Sequence, residues 1–140
     1  MARAWRTHAA LYLWVMLGSG LGGAARYGGA RLSAAVFGTA FPWGILIINV
    51  IGSFVIGFVF TYTGPDGRLL VSSTTRQFVM TGLCGGFTTF SSFSLDTLNL
   101  MRDGHGFAAA ANIVLSVACC LLSVWCGHAI AEALSRPSRG

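Results

Sequence analysis

Charge is what this chain has least of. Of its 140 residues only 9% are Asp, Glu, Lys or Arg, the acids number four, and the nine basic residues are all arginine. So little charge cannot cover a soluble domain, and 54% hydrophobic residues with a mean hydropathy of +0.70 point to lipid as the solvent. Cysteine is sparse too. Cys84, Cys119, Cys120 and Cys126 lie in apolar runs without a CxxC spacing, which makes them small apolar packers and not disulfides or metal ligands. HExxH is absent, and His8, His105 and His128 are far apart, so no metal centre built from side chains is expected. No nucleophile, base and orienting group can be assembled from residues inside the apolar runs, which argues against an enzyme. The arginines are dispersed, with no basic helix or aromatic-basic surface, so the net charge of +5 does not imply nucleic acid.

What is there is apolar length. Four windows, 9–25, 43–63, 78–101 and 107–133, are long enough to cross roughly 30 Å of hydrocarbon at about 1.5 Å per helical residue. The expected fold is an all-α, single-domain membrane protein of four transmembrane helices. Arg3 and Arg6 ahead of a short apolar run resemble a secretory signal, but its removal would leave three spans, so the run is taken as the first span of an even-numbered bundle.

Gly18-Ser19-Gly20-Leu21-Gly22-Gly23 satisfies GxGxxG, the dinucleotide fingerprint, without the strand and βαβ unit that fingerprint needs. Inside an apolar span, Gly18 and Gly22 instead let another helix approach closely. Arg26 and Tyr27 then close the span at the interface, where arginine and aromatic anchors belong. Residues 33–41 are too short and too weakly apolar to cross and are expected to form a connection, with Pro42 opening the second span.

Asn49 is the polar residue to explain in the second span, with Gly52, Ser53 and Gly57 following at helical spacing. An intramembrane asparagine either glues two helices by a hydrogen bond worth about 0.6–2 kcal/mol or lines a polar path. Small residues below it mark its face as interior.

The third span is the most informative. Gly82-Leu83-Cys84-Gly85-Gly86-Phe87-Thr88-Thr89-Phe90-Ser91-Ser92-Phe93-Ser94 mixes glycines, hydroxyls and phenylalanines in a way no lipid-facing helix needs. Each glycine weakens a helix by about 1 kcal/mol relative to alanine, while the hydroxyls can satisfy backbone groups freed by a break. A helix broken near 85–88 is expected, exposing carbonyls of the first half and amides of the second, the former suited to a hard cation and the latter to an anion. Broken spans mark transport sites. Phe90 and Phe93 stand on one face, with Thr97 a turn later; they are either packing residues or ring edges, positively polarised, turned to a small anion. In the fourth span Asn112, Ser116, Cys119 or Cys120, and Ser123 recur at three- and four-residue spacing, a polar line whose serines could also bond to their own backbone.

Gly22-Gly23-Ala24-Ala25-Arg26-Tyr27, Pro42-Trp43-Gly44-Ile45-Leu46-Ile47-Ile48-Asn49-Val50-Ile51-Gly52-Ser53-Phe54 and the broken segment through Thr88-Thr89-Phe90-Ser91-Ser92-Phe93-Ser94 resemble, in order and spacing, the Fluc/CrcB fluoride channels. The resemblance covers nearly the whole chain. It implies an antiparallel, dual-topology homodimer with two fluoride pores along the subunit interface and a structural Na+ at its centre. By position, Gly85 and Thr88 would give backbone carbonyls to sodium. Phe90 and Phe93 would face fluoride, with Asn49 and Ser116 along the pore and Arg26 at a vestibule; Thr89, Ser91, Ser92 and Asn112 are further pore candidates. The family's TTFST pattern reads Thr88-Thr89-Phe90-Ser91-Ser92 here, which keeps the hydroxyl, and Asn112 stands where some members resemble tyrosine.

The chemistry agrees with these parts. Moving bare fluoride into hydrocarbon costs tens of kcal/mol, so a conducting site must replace its hydration with many weak donors that still release it. Hydrogen fluoride enters a cell from acid surroundings and dissociates in the near-neutral cytoplasm. An inside-negative potential then drives the anion out with about 2.3 kcal/mol per 100 mV, so a passive channel in a bacterial-type inner membrane suffices to lower its toxicity. Two rivals remain. A dual-topology small multidrug-type exporter needs an acid deep in the first span, which holds none; a non-transporting assembly subunit would use the polar faces for packing alone. Six arginines (Arg3, Arg6, Arg68, Arg76, Arg136, Arg139) fall on one side of a four-span chain and three (Arg26, Arg31, Arg102) on the other. That bias favours one orientation, which leaves a heterodimer with an oppositely oriented paralogue as the alternative to the homodimer.

Overall fold

Gly38, held at φ +77°, ends a first helix much longer than its hydropathy suggests. The computed structural model describes the backbone of residues 2–136 and the side chains from residue 9 onward; Arg3, Arg6, His8 and Arg139, which enter the readings above, have side chains outside that range. Helix α1 spans Ala2–Phe37, 36 residues, or about 54 Å at 1.5 Å per residue. Residues 33–37, expected in a connection, are therefore helical. Falling apolarity ends a hydropathy window but not a helix, and nothing in that stretch breaks one until Gly38, whose N–H donates to the Ala34 carbonyl at 2.9 Å.

Helix α2 spans Trp43–Tyr62, with Pro42 immediately before it. The third long helix is composite: α3 (Ser73–Gln77), a π-helical stretch (Phe78–Cys84) and α4 (Gly85–Phe87) form its first half, and α5 (Phe90–Arg102) its second. Gly104, at φ +79°, turns the chain into α6, Gly106–Ser135. The described residues form no β-strand. Among them Trp43–Tyr62, Ser73–Arg102 and Gly106–Ser135 are long and apolar enough to cross a membrane. Helix α1 is not in that set.

Glycines bring the helices together. Gly18 of α1 lies against Gly82, Gly22 against Leu83 and Phe87, and Gly86 against Ser19, so closely that a Cβ on any of these glycines would overlap the facing backbone. The glycine pairs four apart on α1 and on the composite helix interlock, the small-residue crossing that lets membrane helices gain dispersion contacts where no hydrophobic force separates protein from lipid. Helices α2 and α6 repeat the device, Gly57 beneath the Val124 carbonyl and Gly127 beneath that of Phe54. The Ser123 hydroxyl adds an interhelical bond to the Val50 carbonyl at 2.8 Å. This takes Ser123 out of a continuous polar line on α6 and makes it a tie between helices.

Candidate functional site

The third span comes apart at Thr88 and Thr89, whose backbones are extended at φ −81°, ψ 156° and φ −154°, ψ 118°. Gly85, by contrast, is helical at φ −64°, ψ −35°. The glycines ahead of the break serve close packing, and it is the two threonines that leave the helix.

Side chains satisfy several of the backbone groups around the break. The Thr88 N–H and hydroxyl both donate to the Cys84 carbonyl, each at 2.9 Å. Thr89 caps α5: its Oγ1 accepts from the Ser92 N–H at 3.2 Å and lies 3.1 Å from the Ser91 hydroxyl. From α2, the Asn49 side chain spans the Thr89 backbone, Oδ1 accepting from the N–H at 2.8 Å and Nδ2 donating to the carbonyl at 3.1 Å. Asn49 thus acts as a detached peptide unit paired to an extended residue. One N–H of its amide is left over.

That pairing has an effect on Gly85. In an unbroken helix the Thr89 N–H would bond to the Gly85 carbonyl; given to Asn49 instead, it leaves that carbonyl without its helical donor. Gly85 is exposed on the protomer. The next carbonyl, Gly86, accepts from Arg26 Nε at 3.1 Å. This places a cation at the carbonyl end of the first half-helix, where it is electrostatically favoured.

On α5, Phe90 and Phe93 stack obliquely, ring centroids 5.2 Å apart. They differ in surroundings: Phe93 is buried, whereas Phe90 is 77% exposed on the single protomer. Behind Phe93 runs a chain of side-chain bonds. Thr97 donates to the Phe93 carbonyl at 2.8 Å, Asn112 Nδ2 donates to Thr97 Oγ1 at 2.9 Å, and the Ser116 hydroxyl reaches Asn112 Oδ1 at 3.4 Å.

A cavity of about 370 Å³ gathers the ends of these pieces. Asn49, Gly85, Thr88, Thr89, Phe90, Phe93 and Ser116 all line it, together with Gly52 and Ser53 of α2. No Asp, Glu, Arg, Lys or His is on its wall. Four sequence candidates stand outside: Arg26 on the Gly86 carbonyl, Ser91 and Ser92 in the α5 cap, and Asn112 enclosed within the protomer at 2% exposure. Asn112 therefore reaches the cavity only through Ser116. The sequence did not reveal two pairings, Arg26 with Gly86 and Asn112 with Thr97, or the apolar wall supplied by Ile56, Val117 and Leu121. The spacing of Phe93 and Thr97, one helical turn apart, was the available sign that Thr97 lies inward.

Uncharged amide and hydroxyl groups and two phenylalanines line a pocket without a counter-charge, a wall better suited to an anion held weakly than to one bound by a fixed charge. Among the described residues no group of three His, Cys, Asp or Glu side chains could hold a metal.

Known proteins agree with the geometry. The family model described as CrcB-like protein, Camphor Resistance (CrcB), matches residues 13–128. A protein named Fluoride-specific ion channel FluC from Methylocella silvestris is 58% identical over 125 residues, covering 89% of this chain and 95% of its own length. The protein of that name from Opitutus terrae is 54% identical over 125 residues, with the same coverage of both chains. Fluoride-specific ion channel FluC 1 of Bradyrhizobium diazoefficiens is 50% identical over 139 residues, 99% of this chain and 95% of its own. With the broken third helix, the Asn49 pairing and both phenylalanines inside the matched region, the chain belongs to the CrcB family.

Proposed function

We propose that this protein is a fluoride-selective channel that lets the anion leave the cytoplasm passively across a bacterial inner membrane. The observation that carries this is the cavity wall: Asn49, Ser116, the threonines of the break and two phenylalanines, with no ionised side chain among them. Fluoride surrenders its hydration only to several donors at once, and a site of many weak donors releases what it binds. Its relatives' names supply the ion.

Exposed Phe90 and Gly85 suit a site completed by a second copy. The reading is of an antiparallel homodimer of four-span subunits in which α1 crosses as well, shielded by its glycine-rich contact with the composite helix. Sodium fits the same place. The Gly85 carbonyl has lost its helical donor and Thr88 is extended, so each protomer can offer this pair of oxygens to an ion on the twofold axis, where it would offset the carbonyl dipoles of both breaks.

The test is flux. Purified protein in liposomes passes fluoride and largely excludes chloride; equal efflux of both ions, or none of either from well-reconstituted protein, overturns the proposal.

A further inference from the structure

A second cavity, of about 520 Å³, opens at the other end of the composite helix, between the end of α2 and the start of α3. We infer that it is a binding site for the phosphate of an anionic phospholipid, with Arg76 as the phosphate-binding cation.

Arg76 is fixed in an unusual way. Its Nη2 donates to the Phe60 carbonyl at 3.0 Å, its guanidinium lies 5.0 Å from the centroid of the Phe60 ring, and its Nε is buried without a hydrogen-bond partner. No carboxylate among the described residues lies within ion-pair distance of it; the ion pairs present are those of Glu132 with His128 and Arg136. Asp66, in the same connection, does not line the cavity. A half-buried guanidinium oriented by a carbonyl and a ring, with its charge unanswered, needs an anion from outside the chain.

The cavity also states the anion's class. Ser73 and Gln77 stand beside Arg76 on its wall, and because Gln77 Oε1 is taken by the Thr81 hydroxyl at 2.6 Å, the side of Gln77 left over is its amide N–H₂, a donor. Apart from Thr63 and Thr81 the rest of the wall is mostly apolar, with Phe60, Leu70 and Met80, and Leu70 is 82% exposed. Donors and a cation beside apolar side chains in one cavity match an amphiphile, where the end of α2 meets the start of the composite helix. Nearby Arg68, bonded to the Leu134 carbonyl at 3.1 Å, adds positive potential at the same end.

The test measures binding of dioleoylphosphatidylglycerol to the purified full-length protein in detergent, by native mass spectrometry and by the rise in melting temperature, with inorganic phosphate as a parallel probe. The wild type binds the lipid and is stabilised by it, Arg76→Gln binds about five-fold more weakly, and Arg76→Lys retains most of the binding. Gln77→Glu, which puts a carboxylate on the wall while leaving Arg76 in place, weakens binding to a similar degree and serves if Arg76→Gln does not fold. Equal lipid affinity in the wild type and these variants overturns the inference. Stabilisation by inorganic phosphate as large as that by the lipid overturns it too, by assigning the cavity to a free anion.

Discussion

The amide of Asn49 meets both backbone groups of Thr89, accepting at 2.8 Å and donating at 3.1 Å, across 40 residues of sequence. A side chain from one helix thereby fixes the geometry at which another helix stops and restarts. This gives Asn49 a structural duty in addition to its place on the cavity wall, and mutants can separate the two.

Asn49→Leu removes both bonds and leaves a buried N–H and C=O unpaired, at about 1–3 kcal/mol each. The melting temperature falls and fluoride flux is lost together. Asn49→Asp, which can still accept from the N–H but cannot donate to the carbonyl, falls between. Unchanged melting in Asn49→Leu would show that the break holds without it.

Phe90→Ile and Phe93→Ile each lose the polarised ring edge while nearly keeping apolar volume. Fluoride efflux from liposomes drops steeply in both. Their stabilities diverge, because Phe93 is buried and Phe90 is exposed on the protomer: Phe93→Ile loses about 1 kcal/mol, and the Phe90 variant melts like the wild type unless a partner covers that ring. Wild-type rates in both variants would reduce the pair to packing.

Gly86→Ala pushes a methyl group into the Ser19 backbone and destabilises by about 1–3 kcal/mol. Gly20, two residues from Gly18 on the same helix, faces open space, so Gly20→Ala is neutral or gains up to about 1 kcal/mol from helix propensity. Thermal melts of the two variants side by side check this, and equal losses would contradict the close crossing of α1 and the composite helix.

Exchange of sodium for N-methylglucamine during purification lowers the melting temperature, and adding sodium back restores it in a concentration-dependent way, as expected for a ligand of the folded state. The flux carries no sodium current. Identical melts with and without sodium would remove the ion from the site.

A cysteine placed at either terminus is labelled from both sides of intact cells if subunits insert in both orientations. Labelling confined to the cytoplasmic side would exclude the antiparallel homodimer and leave the paired paralogue.

Local chemistry was legible in the sequence, and pairings were not. Gly18 and Gly22 announced a close crossing because small residues four apart in an apolar run have few other uses. The break was legible to within a few residues, but glycine carries two signals, weak helix propensity and close approach, and at Gly82 and Gly86 the second prevailed, which moved the break on to Thr88 and Thr89. Arg26 finds Gly86 at a separation of 60 residues, a contact no local pattern encodes. Asn112 looked like one more member of a polar line; its enclosure depends on Thr97, which approaches from α5. The length of α1 escaped for a different reason, since hydropathy measures affinity for lipid and says little about where a helix ends.

The π-helical stretch, Phe78–Cys84, has a consequence for how the two cavities are related. A π turn holds more residues than an α turn, so this stretch sets the angular phase between Arg76 on one side of it and the Thr88–Thr89 break on the other. Wound as α-helix with the same number of residues, the stretch would rotate one end against the other by roughly 100°, one residue's worth of turn. Gly82 and Gly86 could not then both face α1 while Arg76 kept its seat on Phe60. The widened turn works as a fixed phase shifter, keying the Arg76 end of the helix to the break at Thr88 and Thr89.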